Sequence, residues 1–350
     1  MEIQVDLRSD TVTKPSPAMR EAMARAHVGD DVIDRDPTVE RLEAVTATML
    51  GQPAGLFMPS GSMSNLVALM THLGRGERFY AVRGAHILTH ELGTASWLAG
   101  GIPGELPWSD GPGCPSPADI RALAAIEPRA GHYYDLRTTL VCLENTHNQA
   151  GGQIIPRHAM TNLVDSAHAA GWPVHLDGAR IWHAAAAQDI TPHDAAGQPD
   201  SLTVCFSKGL GAPVGSMLLG SKEFIGRAWR WRKALGGGMR QSGVLAAAAL
   251  VALDQELPRI DEDRQRATTL ARAIRQEGLD CPDPATNILM VRPPPGSDAS
   301  AGDIWAAWRS AGIGCLLMGD AVRLVLHRDI DMAGLTTAIM LINEVTKKVG

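Results

Sequence analysis

Long apolar runs, paired cysteines, surplus positive charge and glycine-rich nucleotide motifs are all missing from this chain, and each absence removes a class of function. The apolar run Ala246–Val251 is too short to cross a bilayer. The five cysteines (Cys114, Cys142, Cys205, Cys281 and Cys315) are odd in number, far apart and form no Cys-x-x-Cys pair. That argues against a disulfide framework or a zinc knuckle and favours a reducing, cytoplasmic setting. Cys142 and Cys205 lie in apolar, strand-like runs and read as small buried hydrophobes. The formal charge of −6 argues against general affinity for nucleic acid or anionic membrane. The stretch Trp229-Arg230-Trp231-Arg232-Lys233, placed on a helix, reads as a subunit contact or a solvated face. No Gly-x-x-x-x-Gly-Lys-Ser/Thr occurs, and no Gly-x-Gly-x-x-Gly follows a strand, so nucleotide readings lack their motif. With acidic Glu2 and Asp6 and no apolar stretch, the first residues do not read as a signal peptide. There is no internal repeat and no low-complexity tract.

What is present is a globular composition, 45% hydrophobic and 20% charged, on 350 residues. That length suffices for one large and one smaller domain. Residues 1–15 read as an extended arm that ends at Pro15. Ser16-Pro17 is a helix start, with serine as cap and proline in the first turn. A second helix is expected from Asp36-Pro37-Thr38 to Leu50-Gly51, with Val39, Leu42, Val45 and Met49 on one face. Apolar strands at 54–58, 78–82, 139–143, 174–178, 201–206 and 217–220 then alternate with helical stretches. This pattern predicts an α/β fold with a mostly parallel central sheet and helices on both faces. The composition shifts near Pro258, so 16–250 is expected to form the large domain and 251–350 a small α+β domain.

Two of these strands carry the chemistry. Val174-His175-Leu176-Asp177-Gly178 and Ser201 to Lys208-Gly209 each run from apolar residues to a charge and then a glycine. Pyridoxal phosphate chemistry requires this pair: a lysine amine that can bond to the cofactor aldehyde, and an aspartate that keeps a proton on the pyridine nitrogen. Taken alone, Lys208 is an ordinary loop lysine and Asp177 a helix cap. Their spacing and strand context reverse that. A buried aspartate needs a partner, and a pyridinium about 3 Å away would supply roughly 5 kcal/mol at an effective dielectric of ~20, before desolvation.

Other segments can complete such a site. Pro59-Ser60-Gly61-Ser62, between a strand and a helix, would offer backbone N–H groups at a helix N-terminus to a phosphate, although a plain cap reads the same way. His86 follows a strand and could stack on a flat ring. His86 and His90 have metal-pair spacing but no apparent third ligand, so no metal is expected. His132 and His147 are further candidates for proton transfer. Arg180 and Arg323 could hold a carboxylate. Gly236-Gly237-Gly238-Met239-Arg240-Gln241 is a loop that could deliver an arginine to phosphate.

With these residues assembled, the chain resembles the low-specificity L-threonine aldolase family of fold-type-I pyridoxal phosphate enzymes, nearly end to end. The resemblance rests on Val28-Gly29-Asp30-Asp31-Val32, Asp36-Pro37-Thr38-Val39, Leu143-Glu144-Asn145-Thr146-His147-Asn148, His175 to Arg180, Ser207 to Ser216 and Gly236 to Gln241. It implies a fold-type-I transferase-like architecture with pyridoxal 5′-phosphate as cofactor. It implies Lys208 as the covalent lysine, Asp177 as the pyridinium partner and His86 as the stacked ring. Ser60, Gly61 and Ser62 would form the phosphate cup, and Arg240 would reach the phosphate of a neighbouring subunit. Ser9, Arg180 and Arg323 would hold the amino-acid carboxylate, and His132 would lie near the substrate hydroxyl. It further implies homotetramers with active sites at dimer interfaces, and cleavage of L-threonine, L-allo-threonine and related L-β-hydroxy-α-amino acids to glycine and an aldehyde. A related β-eliminating or transaldolase activity is the alternative, and a fold that has lost its chemistry a third reading. The sequence departs from the family at Ile33-Asp34-Arg35, where Tyr-Gly and an acid are usual, at His90-Glu91-Leu92-Gly93-Thr94, where an aromatic and Glu-Ala-Gly-Gly are usual, and at Leu326, where Thr is usual.

Overall fold

A computed structural model describes residues 2–127 and 133–346. Its centre is a seven-stranded sheet in the order β2 (Ala54–Met58), β8 (Ser216–Gly220), β7 (Ser201–Cys205), β6 (Val174–Gly178), β5 (Thr138–Glu144), β3 (Arg78–Val82), β4 (Ile102–Leu106). Strands β7, β6, β5, β3 and β4 are mutually parallel, and β8 runs antiparallel to both of its neighbours. Every residue of β6, β7 and β8 is buried. Their mostly apolar lettering, interrupted by the buried polar residues His175, Asp177, Ser201, Thr203 and Ser216, suits a sheet covered on both faces. The edge strand β4, Ile-Pro-Gly-Glu-Leu, is mostly exposed. A proline is tolerated at an edge, where no ladder partner needs its missing N–H. For the same reason the segment carries no strand signature in sequence.

The helix starts follow their caps. Ser16 accepts from the Met19 amide ahead of Pro17–Ala24, and Asp36 accepts from Thr38 and Val39 ahead of Pro37–Met49. The phase of the second helix differs from the sequence expectation: Val39, Leu42, Thr46 and Ala47 are buried, whereas Val45 is exposed. Glu43 shares the buried face because it accepts the Phe57 amide and pairs with Arg35. A carboxylate with partners therefore holds a place that an apolar-periodicity argument gives to valine.

The chain has two principal cores. The larger packs the helices onto the seven-stranded sheet. The second gathers the antiparallel strands β9 (Ile288–Val291), β12 (Ala321–Val325) and β11 (Leu316–Met318) with the helices Asp261–Gln276, Ala301–Ser310 and Met332–Thr346. The opening residues belong to this second core. Strand β1 (Val5–Asp6) pairs in parallel with β10 (Ile313–Gly314), and Val5 and Leu7 are buried there. All five cysteines are unpaired and buried. No helix among the described residues is long and apolar enough to cross a membrane.

Candidate active site

The site forms where β6 and β7 end. These parallel neighbours pair Asp177 with Thr203 and Gly178 with Val204, so both strands deliver their last residues to one edge of the sheet, where open α/β sheets bind ligands. Asp177 is buried. Its Oδ1 accepts the Ala179 amide at 3.0 Å, and its Oδ2 accepts Asn65 Nδ2 at 2.8 Å. Burial pushes its pKa upward, but the charges of Lys208 and His86 and these two donors outweigh burial and hold the carboxyl below its ordinary range.

Lys208 sits in the connection from β7 to β8, whose ends are tied by Phe206 N–H to the Gly215 carbonyl, 3.0 Å, and Ala212 N–H to the Phe206 carbonyl, 3.0 Å. Thr13 Oγ1 donates to the Lys208 carbonyl at 2.9 Å. Gly209 must be glycine, because a Cβ there would stand 2.4 Å from Cε1 of the buried His183. The turn is thus braced around the lysine while its ammonium acts on Asp177 and on Asp10. The amine and the acid therefore share one electrostatic environment.

His86 opens a short helical turn, His86–Thr89, after β3. Its backbone N–H donates to Glu144 at 2.6 Å, and its Nδ1 lies 2.8 Å from Glu91 Oε1. Burial alone would lower the imidazole pKa, but Glu91, followed by Asp177, raises it. Burial likewise raises Glu91, whose Oε2 has no hydrogen-bond partner. The pair therefore holds a proton at the edge of the Asp177 cavity. The ligand atoms of His86, Glu91 and Asp177 lie within 4.8 Å of one another, but Asn65 Nδ2 bridges the two carboxylates, at 2.9 and 2.8 Å. That is a proton-linked cluster organised around a donor.

Ser60 caps the helix Gly61–His72 by accepting from the Met63 amide at 3.2 Å. The amides of Gly61 and Ser62 precede the first intrahelical bond and remain available. A Cβ at Gly61 would stand 2.9 Å from Cys205 Sγ, so the bare backbone passes close to the end of β7 and leaves a cradle that a side chain would fill. Arg240 does not join this group. It is half exposed and donates to Asp30 at 3.0 Å, while Gly237 of its loop passes against Met63 in the first turn of the Ser60 helix.

On the facing side, two buried guanidiniums converge. Arg180 makes a two-pronged bond to Asp10, 2.7 Å on each oxygen, and its third nitrogen lies 3.2 Å from Asn148 Oδ1. Arg323 donates to the same oxygen at 2.8 Å and to the Arg8 carbonyl at 3.1 Å, leaving its Nε unpaired. Burial, then repulsion from Arg180, lowers the Arg323 pKa to about 10. Ser9 Oγ lies 3.4 Å from Asp10. Two cations against one anion leave a pocket fit for a carboxylate. Sequence reasoning proposed Ser9, Arg180 and Arg323 but missed Asp10, Asn148, Asn65 and Glu91. His147 is bound into its own loop, accepting the Ala150 amide at 3.2 Å. His132 lies outside the described residues.

The Asp10–Arg180 pair gives a stability prediction. Burial opposes the charge on Asp10, but Arg180 and then Lys208 bring its pKa well below the ordinary range. A depressed folded pKa means stabilisation that is present above the unfolded carboxylate value, ~3.9, and lost as pH falls below it. Asp10→Asn should cost about 3–5 kcal/mol at pH 7 by leaving Arg180 uncompensated. Its urea midpoint should also depend less on pH below 4 than that of the parent. A variant with the parent's acid profile would show that the pair is not coupled to folding.

The mostly parallel sheet carries Asp177 at the end of β6 and Lys208 in the turn after β7, the architecture expected of a fold-type-I enzyme. The solved threonine aldolase of Leishmania major superposes with a TM-score of 0.81 at 20% identity, covering 99% of this chain and 100% of that one. The model of the beta-eliminating lyase family matches residues 6–293. The low-specificity L-threonine aldolase of Escherichia coli K12 is 42% identical over 327 residues, 93% of this chain and 94% of that protein. Low-specificity L-threonine aldolase 1 of Arabidopsis thaliana is 41% identical over 333 residues, 93% and 92% of the two chains. The chain belongs to the beta-eliminating lyase family and, within it, to the low-specificity L-threonine aldolases.

Proposed function

We propose that this chain is a pyridoxal-phosphate-dependent carbon–carbon lyase that cleaves L-threonine, L-allo-threonine and related L-β-hydroxy-α-amino acids to glycine and an aldehyde. The observation that carries this reading is the placing of buried Asp177 at the end of β6 and of Lys208 in the turn that follows the neighbouring parallel strand β7, with the lysine's charge acting on the aspartate. The donor set fits the cofactor: a charged carboxylate for a pyridine N–H, an amine for the aldehyde, and the uncovered helix start at Gly61 for the phosphate. When bound, the cofactor supplies a conjugated ring that accepts the electron pair of the breaking bond.

The remaining steps belong to the chain's own residues. Lys208 is the amine that would hold the cofactor aldehyde. Arg180 and Arg323, with Ser9, grip the substrate carboxylate in place of Asn148 Oδ1 and thereby orient the Cα–Cβ bond. His86, its Nδ1 anchored by Glu91, presents its other nitrogen as the acceptor for the β-hydroxyl proton among the described residues. Asp177, held as a carboxylate, would keep a proton on the ring nitrogen of a bound cofactor. Residues 16–250 carry the cofactor face, and 251–350, with the arm 1–15, carry Arg323 and Ser9.

We further propose a cytoplasmic homotetramer with sites at dimer interfaces. Arg240 is half exposed and bound to Asp30, in a segment that also carries the exposed Val28 and Ile33, a placement suited to reaching a neighbouring subunit's phosphate. Purified protein supplemented with pyridoxal phosphate should release acetaldehyde and glycine from L-threonine and L-allo-threonine, and benzaldehyde from phenylserine. A 2-oxo acid and ammonia in their place (2-oxobutanoate from either threonine, phenylpyruvate from phenylserine) would identify β-elimination, which the same residues can serve. The absence of any product would refute the lyase reading.

A further inference from the structure

A string of polar side chains that the reaction itself does not use runs through the middle of the sheet. His72 Nε2 lies 2.8 Å from Ser201 Oγ, and Ser201 Oγ lies 2.8 Å from His175 Nδ1. His175 Nε2 lies 3.2 Å from Asn65 Oδ1, and Asn65 Nδ2 reaches Asp177 at 2.8 Å and Glu91 at 2.9 Å. Asn65, His175 and Ser201 are buried. These residues come from one helix, Gly61–His72, and two adjacent strands, β6 and β7, so the string crosses between layers.

The chemistry of the ends fixes the direction of every link. Asp177 and Glu91 can only receive from Asn65, so its NH₂ faces them and its carbonyl faces His175. That carbonyl accepts only, so His175 carries its proton on Nε2 and leaves Nδ1 bare. The bare Nδ1 must receive the Ser201 hydroxyl proton, and the serine oxygen in turn receives His72 Nε2–H. Both rings are neutral in this arrangement. Burial accordingly lowers the pKa of His175 to about 4 and that of His72 to about 3. All donors therefore point toward Asp177.

We propose that Asn65 and His175 are positioning residues, and that the relay His72–Ser201–His175–Asn65 locks the Asp177 carboxylate in the orientation that receives the cofactor ring nitrogen. Packing does not require this arrangement, since an apolar isostere would fill the Asn65 position equally well. A carboxylate facing a second carboxylate with no donor between them would swing away or take up a proton. Asn65 supplies that donor, and the relay keeps its amide from flipping. The proposal rests on the pyridoxal-phosphate reading, but its first test is independent of the cofactor.

That test is histidine side-chain ¹⁵N NMR on the full-length protein, with and without pyridoxal phosphate. His175 should be neutral at pH 7 with its proton on Nε2. A proton on Nδ1, or a charged ring, overturns the relay. Titration with pyridoxal phosphate is the second measurement. Asn65→Ala removes a hydrogen bond to a charged group and should raise the cofactor Kd about 10- to 100-fold. Ser201→Ala leaves both donors to Asp177 in place, releases the His175 tautomer and should raise the Kd by roughly two- to fivefold. The second variant decides the matter if the first does not fold. Unchanged affinity in whichever of the two folds overturns the proposal. If the unsubstituted protein binds no pyridoxal phosphate, the functional reading fails, and the His175 tautomer still decides whether the relay exists.

Discussion

Lys208→Ala is expected to abolish aldehyde release and to remove the visible absorbance that lysine-bound pyridoxal phosphate gives. The substitution leaves the phosphate cradle at Gly61 and the Asp177 carboxylate in place, so the cofactor should still bind, without its covalent link. The turn that carries Lys208 is held by backbone bonds at Phe206, Ala212 and Gly215 and by Thr13 on the Lys208 carbonyl. None of these needs the lysine side chain, so the fold should survive and the loss can be assigned to chemistry. Equilibrium binding, an absorbance spectrum and an aldehyde assay on one preparation separate the outcomes. Turnover near the parent rate in this variant would end the assignment of Lys208.

The second large effect is expected at Asp177. Asp177→Asn preserves shape and removes the charge that would sit beside a pyridinium. At about 3 Å and an effective dielectric of ~20 that attraction is roughly 5 kcal/mol. Losing most of it from the transition state corresponds to a fall of about a thousandfold in kcat/KM. The ring nitrogen of the bound cofactor should also release its proton at a lower pH than in the parent, which a pH titration of the cofactor absorbance would detect. Because Asn65 donates to one oxygen of Asp177 and the Ala179 amide to the other, the new amide can accept only one of these bonds and sets its NH₂ against the other donor. An Asp177→Asn enzyme with unchanged kcat/KM would show that this carboxylate carries no part of the barrier.

The central strands were legible because β6 and β7 are buried on both faces and so read as apolar runs that stop at a charge. The helix starts at Ser16-Pro17 and Asp36-Pro37 were legible because capping is local chemistry. The partners of the charged groups were not. Asp10 lies 170 residues from Arg180, and Asn65 lies 112 residues from Asp177. No local pattern distinguishes Asn65 from a polar helix residue, or Asp10 from a member of a polar arm. A composition argument could have found them: a buried arginine and a buried aspartate each demand a partner, and the strand-flanking segments hold few polar residues able to serve. Strand β4 was missed because Pro103 and Gly104 read as a loop, and Val45 was misplaced because Glu43 takes the buried phase with Arg35. Arg240 lies half exposed with its guanidinium on Asp30, a partner the sequence did not point to.

The opening residues touch both cores of the molecule. Val5 and Leu7 are anchored in the second core, Asp10 neutralises Arg180, and Thr13 holds the backbone of Lys208. The stretch from Val5 to Thr13 thus runs as a tether from the C-terminal core, past the Arg180 guanidinium, to the Lys208 carbonyl. A displacement of that core would therefore pull, through Thr13, on the backbone that carries Lys208.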